Sequence, residues 1–175
     1  MQPHFHSQHI GRIMTDATTD AGAAADSQKQ EGIFLKGQYI KDMSFESPRA
    51  PQSLLGLKEP PKIDIGVDLN AQRLQENIFE LAIKISARAV SDNNTLFLVD
   101  LTYGGIFELN GIDESQLEET VLVHSAHILF PFARRVVADV TRDGGFPSLQ
   151  MEPIDFAALY AQNKDKVVRG QQEAG

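Results

Sequence analysis

The 175-residue chain contains no cysteine. Disulfide frameworks, thiolate metal sites and cysteine nucleophiles are therefore excluded together. The absence fits the cytosol without proving it, because many periplasmic proteins also lack the residue. No apolar run approaches the roughly 18 residues that a membrane span requires. Met1 to Lys29 carries no charged head followed by an apolar stretch, so a soluble, cytoplasmic protein without membrane insertion is expected. Positive charge is also in short supply: 16 Lys and Arg stand against 24 Asp and Glu, a formal net charge of -8. Such a surface repels phosphate backbones, so no nucleic-acid partner is expected and a basic partner is favoured.

Catalytic strings are missing as well. Gly104-Gly105 is only a pair and Asp143-Gly144-Gly145 is a turn, so no phosphate-cradling loop exists, and neither a nucleophile elbow nor a His-Glu-x-x-His string occurs. His124 and His127 stand three apart on an expected helix, with Glu118 and Glu119 nearby. That spacing can hold a metal, and it equally suits a histidine pair in a subunit contact. His4, His6 and His9 cluster near the start, where they can bind a divalent ion or simply precede a true start at Met14. No reaction, resident metal or cofactor is specified, and no enzyme is expected.

What is present is a globular composition, 42% hydrophobic and 23% charged. Residues 1–30 are too poor in apolar surface to offset chain entropy and are expected to form a disordered tail. Residues 163–175 are polar and expected to be flexible, which leaves 31–162 as the ordered domain.

Within it, period-2 alternation marks four strands. Asp42, Ser44 and Glu46 alternate with Met43 and Phe45; Ile63, Ile65, Val67 and Leu69 alternate with Asp64 and Asp68. Phe79, Leu81, Ile83, Ile85, Ala87 and Ala89 share one parity, and Phe97, Val99, Leu101 and Tyr103 share another, opposite Leu98, Asp100 and Thr102. Ser91-Asp92-Asn93-Asn94 reads as a tight turn joining strands three and four. One apolar and one polar face is the pattern of an antiparallel sheet covered on one side. Asp42, Glu46, Asp100 and Leu98 share the polar parity, a mixed patch that suits a basic partner with an apolar centre.

Ser47 to Pro61, with four prolines and with Leu54, Leu55 and Leu57, is a long connection without strand or helix pattern. Its apolar residues need a core or a ligand. Beyond Gly104-Gly105, read as a bulge or bend, the period changes. Ser115 with Glu118 suggests a capping box, Pro131 the first turn of a helix reaching Arg142, and Gly144-Gly145 its close. A last short helix can start at Asp155. Strands followed by helices make the class α+β, a four-stranded antiparallel sheet with helices packed on one face.

Four strings also carry a family resemblance: Lys41 to Pro48, Gly104 to Phe107 followed by Asn110-Gly111-Ile112, Ile128 to Arg134, and Gly145 to Leu149. In order and spacing they resemble the bacterial protein-export chaperone family SecB, over roughly Ile33 to Gln162. The resemblance implies an ATP-independent holding chaperone, a homotetramer built as a dimer of dimers, which keeps precursor proteins unfolded and delivers them to the motor SecA. It assigns motor binding to Asp42, Glu46, Leu98 and Asp100, and client binding to Leu54, Leu55, Leu57 and Phe146. Relatives often carry an aromatic in the connection, and here none lies between Ser47 and Pro61. The alternative within the same fold is a SecB-like chaperone dedicated to a toxin–antitoxin system or another single partner.

Overall fold

Alternating apolar and polar residues pair into one antiparallel sheet in the computed structural model, which describes residues 30–56 and 60–162. The strands are β1 (Gly32–Glu46), β2 (Lys62–Arg73), β3 (Ile78–Ser91) and β4 (Asn94–Asn110). Their order is β1-β4-β3-β2. The central β3–β4 pair is a hairpin closed by Asp92 and Asn93, both with positive φ (49° and 60°). Such a turn matches the right-handed twist of the strands it joins.

With β1 and β2 on opposite edges, the chain between them must cross the sheet end, three strand spacings or about 14 Å. That is why the connection is long. It is not wholly irregular, because Gln52–Leu54 make one 3₁₀ turn. Arg49, Gln52, Ser53 and Gly56 line a shallow depression with Ser91, Asp92, Asn94 and Leu96, so the connection passes beside the hairpin turn.

Glu114–Asp143 forms one 30-residue helix, α1. By length and composition it is apolar enough to cross a membrane, yet half of its most apolar stretch is buried within this fold. Its Val121, Leu129, Ala133 and Val137 pack on one face of β3 and β4, hereafter the inner face. Leu81, Ile83, Ile85, Val99, Leu101 and Phe107 are at most 1% exposed beneath it. Each such side chain contributes about 1.5–3 kcal/mol of burial.

The helix departs from its expected start. Asp113 is the N-cap, without a side-chain hydrogen bond, so Ser115 lies inside the first turn and no capping box forms. Pro131 is deep in the helix rather than in a first turn. It leaves the carbonyl of His127 without the usual donor, and residues Thr120–Ser125 just upstream are wound as a π-helical turn. The close is as expected: Gly145 takes φ +87°, and the amides of Gly144, Gly145 and Phe146 donate to Val140, Arg142 and Thr141.

After that turn the chain runs back along α1. The buried Thr141 hydroxyl accepts from the Leu149 amide at 2.9 Å, and Ser148 Oγ donates to the Ala138 carbonyl at 2.9 Å. Residues 156–162 are helical (α2), with Asp155 Oδ1 accepting from the Ala158 amide at 2.9 Å, and Phe156 stands edge-on to Phe130 of α1.

Gly104 and Gly105 are not a bulge. β4 runs through both in unbroken register with β3 and β1. The register shifts lie instead in the partner strand, between Leu35 and Gly37 and between Ile40 and Asp42, leaving Lys36 and Lys41 as the extra residues. What the glycines provide is space on both faces. A methyl group at Gly105 would stand 2.9 Å from Leu129 Cδ1 of α1 and 2.8 Å from the Phe107 ring. Gly105→Ala is therefore expected to lower unfolding free energy by about 1–3 kcal/mol through overpacking. Gly37→Ala, which meets nothing within 4 Å, should shift it by less than about 0.5 kcal/mol. Urea titration of both variants checks the contrast.

Candidate functional site

The face of the sheet away from α1, the outer face, is set by register. Asp42 pairs with Thr102, Ser44 with Asp100 and Glu46 with Leu98. The Cβ atoms of a directly paired residue couple point to the same side, so Asp42, Glu46, Leu98 and Asp100 share the outer face of neighbouring strands. The three acids are exposed and Leu98 is partly buried among them. None of the three carboxylates makes a side-chain hydrogen bond or ion pair with another described residue.

The other half of this face is differently charged. On β3, Arg88 and Lys84 pair in register with Asp64 and Asp68 of β2. Arg88 also donates to Thr95 Oγ1 at 2.9 Å. Between the halves lies a shallow trough of about 300 Å³, lined by Asp64, Gly66, Ser86, Arg88, Leu98 and Asp100. Leu98 is thus an apolar lip beside a groove with acidic borders.

One polar network lies on the outer face of β1, β4 and β3. Tyr39 pairs with Gly104, and a methyl group there would stand 2.7 Å from Tyr39 Cζ. The bare backbone of Gly104 thus lets the Tyr39 ring cross β4 and donate to Glu80 Oε1 on β3. Lys41 Nζ donates to both Glu80 oxygens, at 2.8 and 3.1 Å. Glu80 is 8% exposed, so its charge is tolerable only with such partners. The Lys41 ammonium foremost, then the Tyr39 hydroxyl, hold the Glu80 carboxyl below the usual carboxylate range. The Tyr39 phenol is pushed up to about 12, first by its bond to Glu80 and then by burial.

The inner face has uncovered apolar margins. On β1, Ile40 and Met43 are 49% and 43% exposed, and on β2, Ile63 and Ile65 are 38% and 43% exposed. Alternation had assigned Met43, Ile63 and Ile65 to the apolar side, but whether a helix would cover them was not readable from it. Ile40 has the same sequence parity as Asp42 yet pairs with Tyr103 on the inner face, a reversal caused by the bulge at Lys41.

Of the four residues assigned to client binding, Leu55 is 84% and Leu54 44% exposed, while Phe146 is 7% exposed. Leu57 lies outside the described residues, as do His4, His6 and His9. Phe146 forms the floor of this corner, 4.9 Å from the Phe97 ring and 6.4 Å from that of Phe45 (centroid distances). A methyl group at Gly145 would lie 3.2 Å from Leu54, so the connection rests on the turn that ends α1. The aromatics at this corner come from β1, β4 and the post-helix segment, not from the connection.

His127 Nδ1 lies 2.8 Å from the Val123 carbonyl oxygen and its ring stands edge-on to Phe156. Among the described residues, no three His, Asp or Glu side chains are grouped to hold a metal ion.

Residues 26–167 match the family model described as preprotein translocase subunit SecB. The chain belongs to the SecB family. Protein-export protein SecB of Caulobacter sp. (strain K31) is 44% identical over 153 residues, spanning 86% of this chain and 93% of that one. Its counterpart in Azorhizobium caulinodans is 48% identical over 138 residues, spanning 79% and 86%. In solved structures, the fold is similar to a Mycobacterium tuberculosis SecB-like chaperone in complex with a ChAD peptide from the HigA1 antitoxin, with a TM-score of 0.58. That likeness covers 70% of this chain and 90% of the other at 17% identity, and concerns the fold alone. SecB-family proteins of this kind are protein-export chaperones.

The Glu80 network has a pH signature. A carboxyl held low in the folded chain contributes stability above its unfolded pKa and loses it as pH falls through the folded value. Glu80→Gln is expected to cost about 1–2 kcal/mol near neutrality, with half-exposed Lys41 limiting the effect. The gap to the wild type should close on acidification below the usual carboxylate range. Urea midpoints across that range check this, and a gap independent of pH would show that Glu80 acts by shape rather than charge.

Proposed function

We propose that this SecB-family protein is a cytoplasmic, ATP-independent holding chaperone. It keeps precursor proteins unfolded on the apolar margins of the sheet and delivers them to the motor SecA through the outer acidic face. The observation that carries the delivery half is the shared outward face of Asp42, Glu46, Leu98 and Asp100, with all three carboxylates unpaired among the described residues. A basic segment with an apolar centre gains charge pairing there, while Leu98 offers an apolar contact.

Client holding is supported by Leu54 and Leu55 in the connection and by the uncovered Ile40, Met43, Ile63 and Ile65. One client side chain buried on such a surface yields about 1.5–3 kcal/mol. A few anchors, less ordering costs, give roughly micromolar affinity per groove. Phe146 serves as the floor beneath Leu54 in this reading. Ile128 and Phe132 of α1 are each 38% exposed, which supports burial of this helix between subunits in a dimer of dimers. Several grooves on one tetramer then add avidity along a long client. A chaperone dedicated to an antitoxin is the less favoured reading: the relatives sharing 44% and 48% of residues are export proteins, and the antitoxin-bound neighbour shares 17%.

Three measurements test this. Purified protein should suppress aggregation of a reduced, unfolded client without nucleotide, and no suppression at stoichiometric tetramer would remove the holding role. Asp42→Lys and Leu98→Ala should each weaken SecA binding about tenfold in calorimetry, the scale of one lost contact, with client holding retained. Unchanged affinity in both would remove the docking assignment. Light scattering should give a tetramer mass, and a stable monomer would contradict the assembly.

A further inference from the structure

The acidic half of the outer face contains its own cations, and each is drawn away from the docking carboxylates. Lys36 and Lys41 are the two bulged residues of β1. Lys36 Nζ lies 3.0 Å from Glu108 Oε2 on β4, and Lys41 Nζ lies 2.8 Å from Glu80 Oε1 on β3. Lys41 immediately precedes Asp42, so without Glu80 its ammonium would have Asp42 as its nearest carboxylate in sequence. An unpaired charge on a surface acts over about 8–10 Å at physiological salt, which spans two strand spacings. A free Lys41 would therefore cancel part of the negative potential that Asp42 and Asp100 present.

We propose that Glu80 is a charge-sequestering residue of the docking face: it takes up the Lys41 ammonium and leaves Asp42, Glu46 and Asp100 uncompensated for a basic partner segment. The inference rests on the docking role proposed above. Three features make the arrangement specific. The bulge at Lys41 places Tyr39 and Asp42 on one face although they are three residues apart. Gly104 opens the path by which Tyr39 reaches the same carboxylate. Glu80 itself is too buried to take part in docking directly.

The test is a double-substitution cycle on the full chain, read as SecA affinity at low and high salt. Glu80→Gln should weaken binding about three- to tenfold at low salt, and less at high salt, as for other peripheral charges. Adding Lys41→Gln to it should restore affinity to within about twofold of the wild type. If the double variant binds no better than Glu80→Gln, Glu80 acts only through structure and the proposal fails. It also fails if Glu80→Gln has no effect while Asp42→Lys does. If Asp42→Lys has no effect either, the docking assignment itself has fallen. Lys41→Gln alone gives a second reading should Glu80→Gln not fold: affinity equal to or above the wild type supports sequestration, and a loss would make Lys41 a contact and overturn it.

Discussion

An α-helix is about 10 Å across and neighbouring strands lie about 4.8 Å apart, so α1 covers mainly β3 and β4 and only touches the two edge strands. Most features of the fold follow from that mismatch. The inner residues of β3 and β4 are sealed beneath the helix, while on β1 and β2 Phe45, Val67 and Leu69 are partly covered and Ile40, Met43, Ile63 and Ile65 stay exposed. Leu81 and Ile65 are both inward-facing and apolar, yet one is fully buried and the other 43% exposed. A protein meant to stand alone would be expected to cover such margins or make them polar. Here they are the surface on which the proposed client holding and assembly rest.

The outer face obeys a second constraint, the placement of charge. Cations on β3 face acids on β2, so that half is internally balanced. On the β1 and β4 half the lysines sit at bulges and are held by Glu108 and Glu80, while Asp42, Glu46 and Asp100 carry no such bond among the described residues. The two faces differ in character, exposed apolar residues on one and exposed charge on the other. A substitution on one face can therefore be read separately from the other, because the sheet lies between them.

Much of this was legible in alternation, and the failures share a cause. Period-2 patterning located the four strands and put Asp42, Glu46, Leu98 and Asp100 on one side, because a strand exposes alternate residues whatever surrounds it. Ile40 is the exception: its parity matches Asp42 and its side is opposite, since a bulge at Lys41 resets the count. No local signal marks that bulge, because it is a property of how β1 pairs with β4 and not of β1 alone. Gly104-Gly105 suggested a bend when the pair instead admits Tyr39 on one face and Leu129 on the other. Ser115 and Pro131 suggested helix starts, while packing on β3 and β4 carried one helix through both positions. The family resemblance named Phe146 for client binding, but its burial beside Phe45 and Phe97 became visible only in three dimensions.

By itself the sequence determined the α+β class, the strand faces away from the bulges of β1, the hairpin turn, the glycine close of α1 and the set of outward acids. All of these depend on neighbours within a few residues and on the period of the backbone. Tertiary structure alone decided how far the helix reaches across the sheet, which apolar residues stay uncovered, and which lysine answers which carboxylate. Those are contacts between strands far apart in the chain, such as Lys41 with Glu80. No spacing along one strand encodes them, because they depend on strand order and register together.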